Sequence, residues 1–257
     1  MPDVVLFDVS DRIATVTLNR PEARNALSSE VLSMLPRLML EADASDAVDV
    51  VILTGTDPAF CAGLDLKELG STASNLGARA VTPGAHGPFP AMTKPVIGAI
   101  NGATVTGGLE LAINCDFLVA SERARFGDTH TRVGVMPGWG MTVLLPQAIG
   151  VRRAREMSYT GNFITAHDAY ELGLVNHVVE HDSLIAFTRR LALDIISNDQ
   201  AAVRQIRATY GAVAATTIDE GWKVEARDSA AWQRRGFDPR EVERRRRAIL
   251  ERGRQQA

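Results

Sequence analysis

Lysine is nearly missing from this chain: Lys67, Lys94 and Lys223 are the only three in 257 residues. With a formal net charge of −3, that scarcity argues against a polyanion-binding surface, whether for nucleic acid or for an anionic membrane. The positive charge is almost wholly arginine, which suits planar, bidentate recognition of phosphate groups. Cysteine is scarcer still. Cys61 and Cys115 form neither a disulfide framework nor a zinc motif, and a reducing compartment is the expectation. No apolar run is long enough to span a bilayer. Met1-Pro2-Asp3-Val4 shows no basic region leading into an apolar one, and Arg254-Gln255-Gln256-Ala257 matches no retention or peroxisomal address, so a soluble cytoplasmic protein is expected. No G-x-S-x-G elbow, G-x-G-x-x-G turn or phosphate-binding loop is present, which removes the usual hydrolase, dinucleotide and ATP sites. His86, His167, His177 and His181 have no metal-ligand spacing, and no metal is expected.

What is present suffices for one large domain with an appendage. The expected division is a core over residues 1–197 and a helical region over 198–257. Val4 to Phe7 and Ile13 to Leu18 alternate like a hairpin, and Ser28 or Ser29 can cap a helix reaching about Ala42. Pro36 within that helix predicts a kink or a break. Val50 to Thr54, Phe117 to Ala120 and Leu174 to Val179 read as strands. Met141 to Ile149, Arg152 to Tyr159 and Ser183 to Ile196 read as helices. Gly70 to Pro90, rich in small residues, reads as a mobile surface loop, and Arg125 to Gly140 as irregular chain. The basic run Arg244 to Arg247 reads as a solvated or intersubunit face.

The chain is organised around Lys94 to Ala112. Val96 to Ile100 is a short apolar strand, followed by a small-residue turn ending in Gly107-Gly108. A mostly apolar helix, Leu109 to Cys115, then carries one carboxylate, Glu110. A helix start leaves backbone N–H groups without intrahelical partners, and glycine lets a ligand approach them. An amide at Gly107 beside the Glu110 carboxylate is either a catalytic arrangement or a tightly packed strand-to-helix turn with a solvated glutamate. The same device occurs earlier, where Val50 to Thr54 leads through a glycine-bearing turn to Phe60-Cys61-Ala62-Gly63-Leu64-Asp65-Leu66-Lys67.

Asn19-Arg20-Pro21…Asn25-Ala26-Leu27, Thr54-Gly55…Phe60-Cys61-Ala62-Gly63-Leu64-Asp65-Leu66 and Asn101-Gly102…Gly107-Gly108-Leu109-Glu110-Leu111-Ala112 resemble the enoyl-CoA hydratase/isomerase, or crotonase, superfamily. The likeness continues through Phe126-Gly127, Val133-Gly134, Pro137-Gly138 and Gly173-Leu174-Val175. It implies an α/β fold, a spiral of ββα units with a C-terminal helical trimerisation region, and a homotrimer or dimer of trimers. It also implies an acyl-CoA thioester as substrate, so coenzyme A enters with the substrate and no separate cofactor is required. The amides of Leu64 and Gly107 would hold the thioester oxygen. Ala62, Asp65, Leu66 and Lys67 would lie along the coenzyme, with Arg24, next to Ala26, towards its phosphates. Glu110 falls on the first of the two glutamate positions of a typical hydratase, whereas His130 stands at the second. A Glu110/His130 pair, Glu110 acting alone as in the isomerases, or loss of hydration are the three readings, and a non-catalytic acyl-CoA-binding member is the rival outside catalysis. Asp128, two residues from His130, would orient the imidazole or make a surface hydrogen bond. Trp139 would shape the acyl pocket.

Overall fold

The computed structural model describes residues 3–77, 87–235 and 239–256. The segment 78–86, including His86 and part of the expected Gly70–Pro90 loop, lies outside the described residues. The chain divides into two compact units, residues 1–204 and 205–257.

In the first unit, β1 (Val5–Ser10) and β2 (Ile13–Leu18) form an antiparallel hairpin, and α1 (Ser29–Ala44) follows. Three ββα turns come next: β3 (Val50–Gly55), β4 (Ala59–Cys61) and α2 (Leu66–Ser71); β5 (Val96–Ile100), β6 (Ala103–Val105) and α4 (Gly107–Ile113); β7 (Phe117–Ser121), β8 (Arg125–Gly127) and α5 (His130–Val133). A short α3 (Ser74–Gly77) lies between the first and second turns. The unit continues with α6 (Met141–Ile149), α7 (Val151–Thr160), β9 (Phe163–Thr165), α8 (Ala166–Glu171), β10 (His177–Val179) and α9 (Leu184–Ile196). Each ββα turn gives its first strand to a six-stranded sheet, ordered β1-β2-β3-β5-β7-β10, and its second to a four-stranded sheet, ordered β4-β6-β8-β9. From β2 onward the large sheet is parallel, and β4, β6 and β8 are parallel in the small one. Since those three strands are neighbours, the turns that leave them lie side by side. The site is built on those turns.

Every residue of β3 and β5 is buried, as expected of central parallel strands covered on both faces. Ile13, Val50, Ile52, Ile97, Ala99 and Val119 meet Leu184 and Ala192 of α9 on one face of the large sheet. Val51, Leu53, Val96, Ile100 and Leu118 enter the larger core on the other. The sheets and α4 pack closely enough that a β-carbon at Gly108 would fall on the Cys61 carbonyl oxygen. Glycine is required there by backbone-to-backbone contact.

Several expectations need correction. The first helix runs through Pro36 from Ser29 to Ala44 without a break, because burial of Val31, Leu32, Leu35, Leu38 and Met39 outweighs the one missing N–H. Residues 125–140 are not irregular throughout: they hold β8 and α5. Ser74–Gly77 is helical within the expected loop, with Asn75 fully buried and donating to the carbonyls of Leu27 and Asp65. The strand expected from Leu174 begins only at His177, because the amides of Leu174 and Val175 both bond to the Ala169 carbonyl and close the end of α8.

Lys94 is 2% exposed, and its ammonium donates to the carbonyls of Ala42 (2.9 Å) and Ser45 (2.6 Å) at the end of α1. Burial, and then the field of Arg204, hold its pKa below the ordinary lysine value. A cation at a helix C-terminus satisfies carbonyls that have no intrahelical partner. Lys94→Met is therefore expected to destabilise the unit by about 2–3 kcal/mol. Urea denaturation reads this as a lower midpoint at constant slope, and an unchanged midpoint would contradict it.

The second unit contains most of α10 (Gln200–Ala214), then α11 (Ile218–Arg234) and α12 (Pro239–Gln256). The Thr217 hydroxyl caps α11 by accepting from the Glu220 amide.

Candidate active site

The three turns leaving β4, β6 and β8 carry Leu64, Gly107 and His130 respectively. In the first, Gly63 has φ +86, and a β-carbon there would lie 2.9 Å from the Val105 carbonyl oxygen and 3.4 Å from the Gly107 nitrogen. Glycine alone meets both demands. The turn is held by a parallel bridge in which the Leu27 amide donates to Gly63 (2.8 Å) and the Asp65 amide to Leu27 (3.0 Å). The Leu64 amide takes no part in that bridge. In the second turn Gly107 opens α4, where helix geometry supplies its N–H with no partner. A β-carbon added to Gly107 would lie 3.7 Å from the Gly63 Cα, so the two turns run close beside one another.

Leu64, Gly107, Glu110, His130 and Trp139 line one cavity of about 50 Å³, with Ala62, Leu66 and Thr106 among its other walls. Such a volume admits water, which needs at least about 10–15 Å³ and polar partners.

Glu110 is 1% exposed, so the solvated-glutamate reading fails. Its Oε1 accepts from the amides of Gly138 (3.0 Å) and Trp139 (2.7 Å). Asn114 ties that loop to α4 by donating to the carbonyls of Glu110 (2.8 Å) and Trp139 (2.7 Å). Oε2 faces the His130 Nε2 at 3.6 Å. The other ring nitrogen of His130 lies 2.6 Å from Asp128 Oδ1, and Asp128 Oδ2 accepts from the Ser158 hydroxyl at 2.6 Å. Asp128 is 2% exposed: its bond to the imidazole is a buried one, and the surface alternative is excluded.

Burial opposes charge on His130, but the hydrogen bond to Asp128, the approach of Glu110 to 3.6 Å and the field of the two carboxylates prevail and lift its pKa to about 9. Burial would likewise raise the Asp128 carboxyl, yet its bonds to His130 and Ser158 hold it below the ordinary value. At neutral pH the ring is thus an imidazolium held by the Asp128 carboxylate, with proton donors on both ring nitrogens.

The expected coenzyme-contact residues are less concentrated. Ala62 and Leu66 line the cavity, Leu66 being 61% exposed, and Lys67 is exposed beside them. The Asp65 carboxylate caps α2 through the amides of Lys67 and Glu68 and pairs with Arg20 at 2.9 Å. Ala26 is buried, and its carbonyl accepts from the Arg20 guanidinium at 2.6 Å. Arg24 is exposed, and its carbonyl accepts from the Ala62 amide, so its turn adjoins the β4–α2 link. Sequence reasoning missed Arg20 as the clamp between these segments. It also missed the Gly138 and Trp139 amides, because backbone donors carry no residue signature.

Residues 8–237 match the model of the enoyl-CoA hydratase/isomerase family. An enoyl-CoA hydratase of Mycobacterium smegmatis, known from its crystal structure, is 51% identical, with 90% of this chain and 97% of that one covered and a TM-score of 0.75. One from Mycobacterium tuberculosis is 50% identical over 91% of this chain and 98% of its own, with a TM-score of 0.74. The crotonyl-CoA hydratase of Syntrophomonas wolfei is 35% identical, covering 86% of each chain.

Proposed function

This chain belongs to the enoyl-CoA hydratase/isomerase family, and from that premise we propose that it is a carbon–oxygen lyase adding water across the 2,3 double bond of a 2-enoyl-CoA thioester. One observation carries the proposal: a buried Glu110–His130 pair opens onto the cavity that Leu64 and Gly107 also line.

The thioester oxygen accepts from the Leu64 and Gly107 amides, which stabilise the enolate-like anion as it develops. Each such donor is worth about 3–4 kcal/mol in the transition state. Glu110 Oε2 takes a proton from water as its oxygen bonds to C3, and the His130 imidazolium gives a proton to C2. A water roughly 2.8 Å from each group completes a triangle on their 3.6 Å base. When the product leaves, the proton taken up by Glu110 passes to the neutral His130 ring, which restores both groups. Asp128 keeps the ring oriented and cationic, which supports an acid role for His130 over a wall-lining one. Ala62, Leu66, Lys67 and the main chain at Asp65 follow the coenzyme, with Ala26 and the exposed Arg24 towards its phosphates. Coenzyme A arrives as part of the substrate. Assembly as a homotrimer or dimer of trimers, and a cytoplasmic location, belong to the same proposal. Among the described residues no helix is long and apolar enough to cross a membrane.

Incubation with 2-enoyl and 3-enoyl thioesters tests the reading. The 2-enoyl thioester is expected to lose its conjugated absorbance and yield the 3-hydroxyacyl thioester. Conversion of the 3-enoyl substrate alone would make the protein an isomerase, and calorimetric binding without any product would make it a non-catalytic acyl-CoA binder.

A further inference from the structure

One residue of the site has a backbone that its side chain resists. Thr106 has φ +53 and ψ −110, a region open to glycine and unfavourable for a β-branched residue. A strained conformation persists only where its surroundings over-determine it, and here they do so from every side. The Thr106 amide donates to Gly127 of β8 at 2.9 Å, and its carbonyl accepts from the Glu110 amide at 2.9 Å. Its hydroxyl lies 2.6 Å from the Thr129 hydroxyl and also accepts from the Thr129 amide at 3.1 Å. On its remaining side, the Thr106 Cβ would be 3.3 Å from a β-carbon placed on Gly63. Thr106 immediately precedes Gly107, and Thr129 immediately precedes His130.

We propose that Thr106 and Thr129 are a positioning pair, whose hydroxyl–hydroxyl bond fixes the Gly107 amide and the His130 imidazole in one relation across neighbouring strands. Glycine at position 106 would relax the backbone but would remove the hydroxyl that joins the two turns through this bond. The threonine thus exchanges local strain for a set distance between an oxyanion donor and a proton donor, the quantity on which a transition state depends most steeply. Both threonines line the cavity, but their hydroxyls are bonded to one another, and the pair acts through the residues that follow it. The inference rests on the hydratase reading above for its consequence in turnover, but not for its geometry.

The charged groups facing His130 are Glu110 from α4 and Asp128 from the preceding loop, and Ser158 of α7 holds the far oxygen of Asp128. Arg132, on the same short helix, donates instead to the Thr160 carbonyl and Asn162. A loosened Thr129 therefore lets the ring drift from Glu110 while its contact with Asp128 travels with it.

The test compares Thr129→Val, Thr106→Gly and Thr106→Ser by steady-state hydration, thermal unfolding and NMR titration of the His130 ring in the ligand-free protein. Thr129→Val and Thr106→Gly are expected to lower kcat by about tenfold to a hundredfold with KM little changed. Both should shift the His130 titration to lower pH. Thr106→Ser, which keeps the hydroxyl, should track the parent in both readouts. Thr106→Gly should unfold at the parent temperature or above, which separates positioning from stability. A lower unfolding temperature for Thr129→Val, with kcat and titration unmoved, would make the pair merely structural and overturn the proposal. Should the parent itself fail to hydrate any thioester, the hydratase reading falls. The titration then still decides the clasp: a shift supports it and no shift overturns it.

Discussion

Glu110→Gln is expected to lower the hydration kcat by about a thousandfold, with kcat/KM falling in parallel and the fold intact. The glutamine oxygen can keep the two bonds that fix Oε1, from the amides of Gly138 and Trp139, so the loop carrying Trp139 stays in place. What changes is the atom facing His130. Oε2, 3.6 Å from the ring nitrogen, becomes an amide NH₂ that cannot accept a proton and turns its positive edge toward an imidazolium. Two effects follow, and the second separates this residue from a generic cavity-lining one. Turnover falls because the base is gone, and the His130 pKa drops from about 9 because one of its two stabilising carboxylates is gone. The parent rate should therefore decline as pH rises through about 9, where the acid loses its proton, and the residual rate of the variant should decline at lower pH. Steady-state assays across pH, with unfolding temperature as control, check both. Parent-like turnover would remove Glu110 from the proton-transfer step.

That Glu110 could be singled out from the chain alone follows from the kind of signal it carries. The buried runs Val50 to Gly55 and Val96 to Ile100 are long enough to show as strands, and a lone carboxylate in an apolar helix behind Gly107-Gly108 is conspicuous. The hairpin and the helices of residues 29–44, 141–149 and 184–196 were legible for the same reason, a sustained period. The small sheet was not. Its strands β4, β6, β8 and β9 have three residues each, too few to display alternation, yet their adjacency is what brings Leu64, Gly107 and His130 together. Position in the family pattern located those three residues, while the reason they converge is a property of sheet order.

Burial of individual polar groups was the other thing hidden. Asp128 in a run of polar residues reads as a surface group, and only packing of α7 against its loop makes it a buried partner of the imidazole. The strain at Thr106 was equally invisible, since a β-branched residue before two glycines gives no hint of a positive φ. These local conflicts between residue and conformation occur where the site is built. Function is the usual reason for a local rule to be broken.

The histidine itself has the largest expected effect on stability. His130→Ala leaves Asp128 and Glu110, both nearly inaccessible to water, without the cation between them. Breaking a buried charge pair from one side costs about 3–5 kcal/mol. The sign of the pH dependence follows from the shifts. In the parent, the folded pKa of His130, about 9, lies above the ordinary histidine value. Its contribution is thus complete below about pH 6.5 and is lost as pH rises through about 9. The Asp128 carboxyl, held down chiefly by its bonds to His130 and Ser158 against the upward push of burial, stabilises the parent above its unfolded pKa and loses that contribution on acidification. Without His130, burial dominates and the carboxyl pKa rises above its unfolded value, so protonation favours the folded state. His130→Ala lacks the His130 contribution that the parent completes between about pH 9 and about 6.5, so its deficit should widen as pH falls from 8 to about 6.5, before protonation of the buried Asp128 offsets it. His130→Glu, which writes in the second glutamate of a typical hydratase, crowds a third carboxylate against Asp128. It should be less stable than the alanine variant at pH 8 and should not restore turnover, because the environment here is built around a cation. Urea midpoints for the three proteins at both pH values decide the matter: a glutamate variant as stable as the parent at pH 8 and active in hydration would show that Asp128 does not hold the imidazole in its charged form.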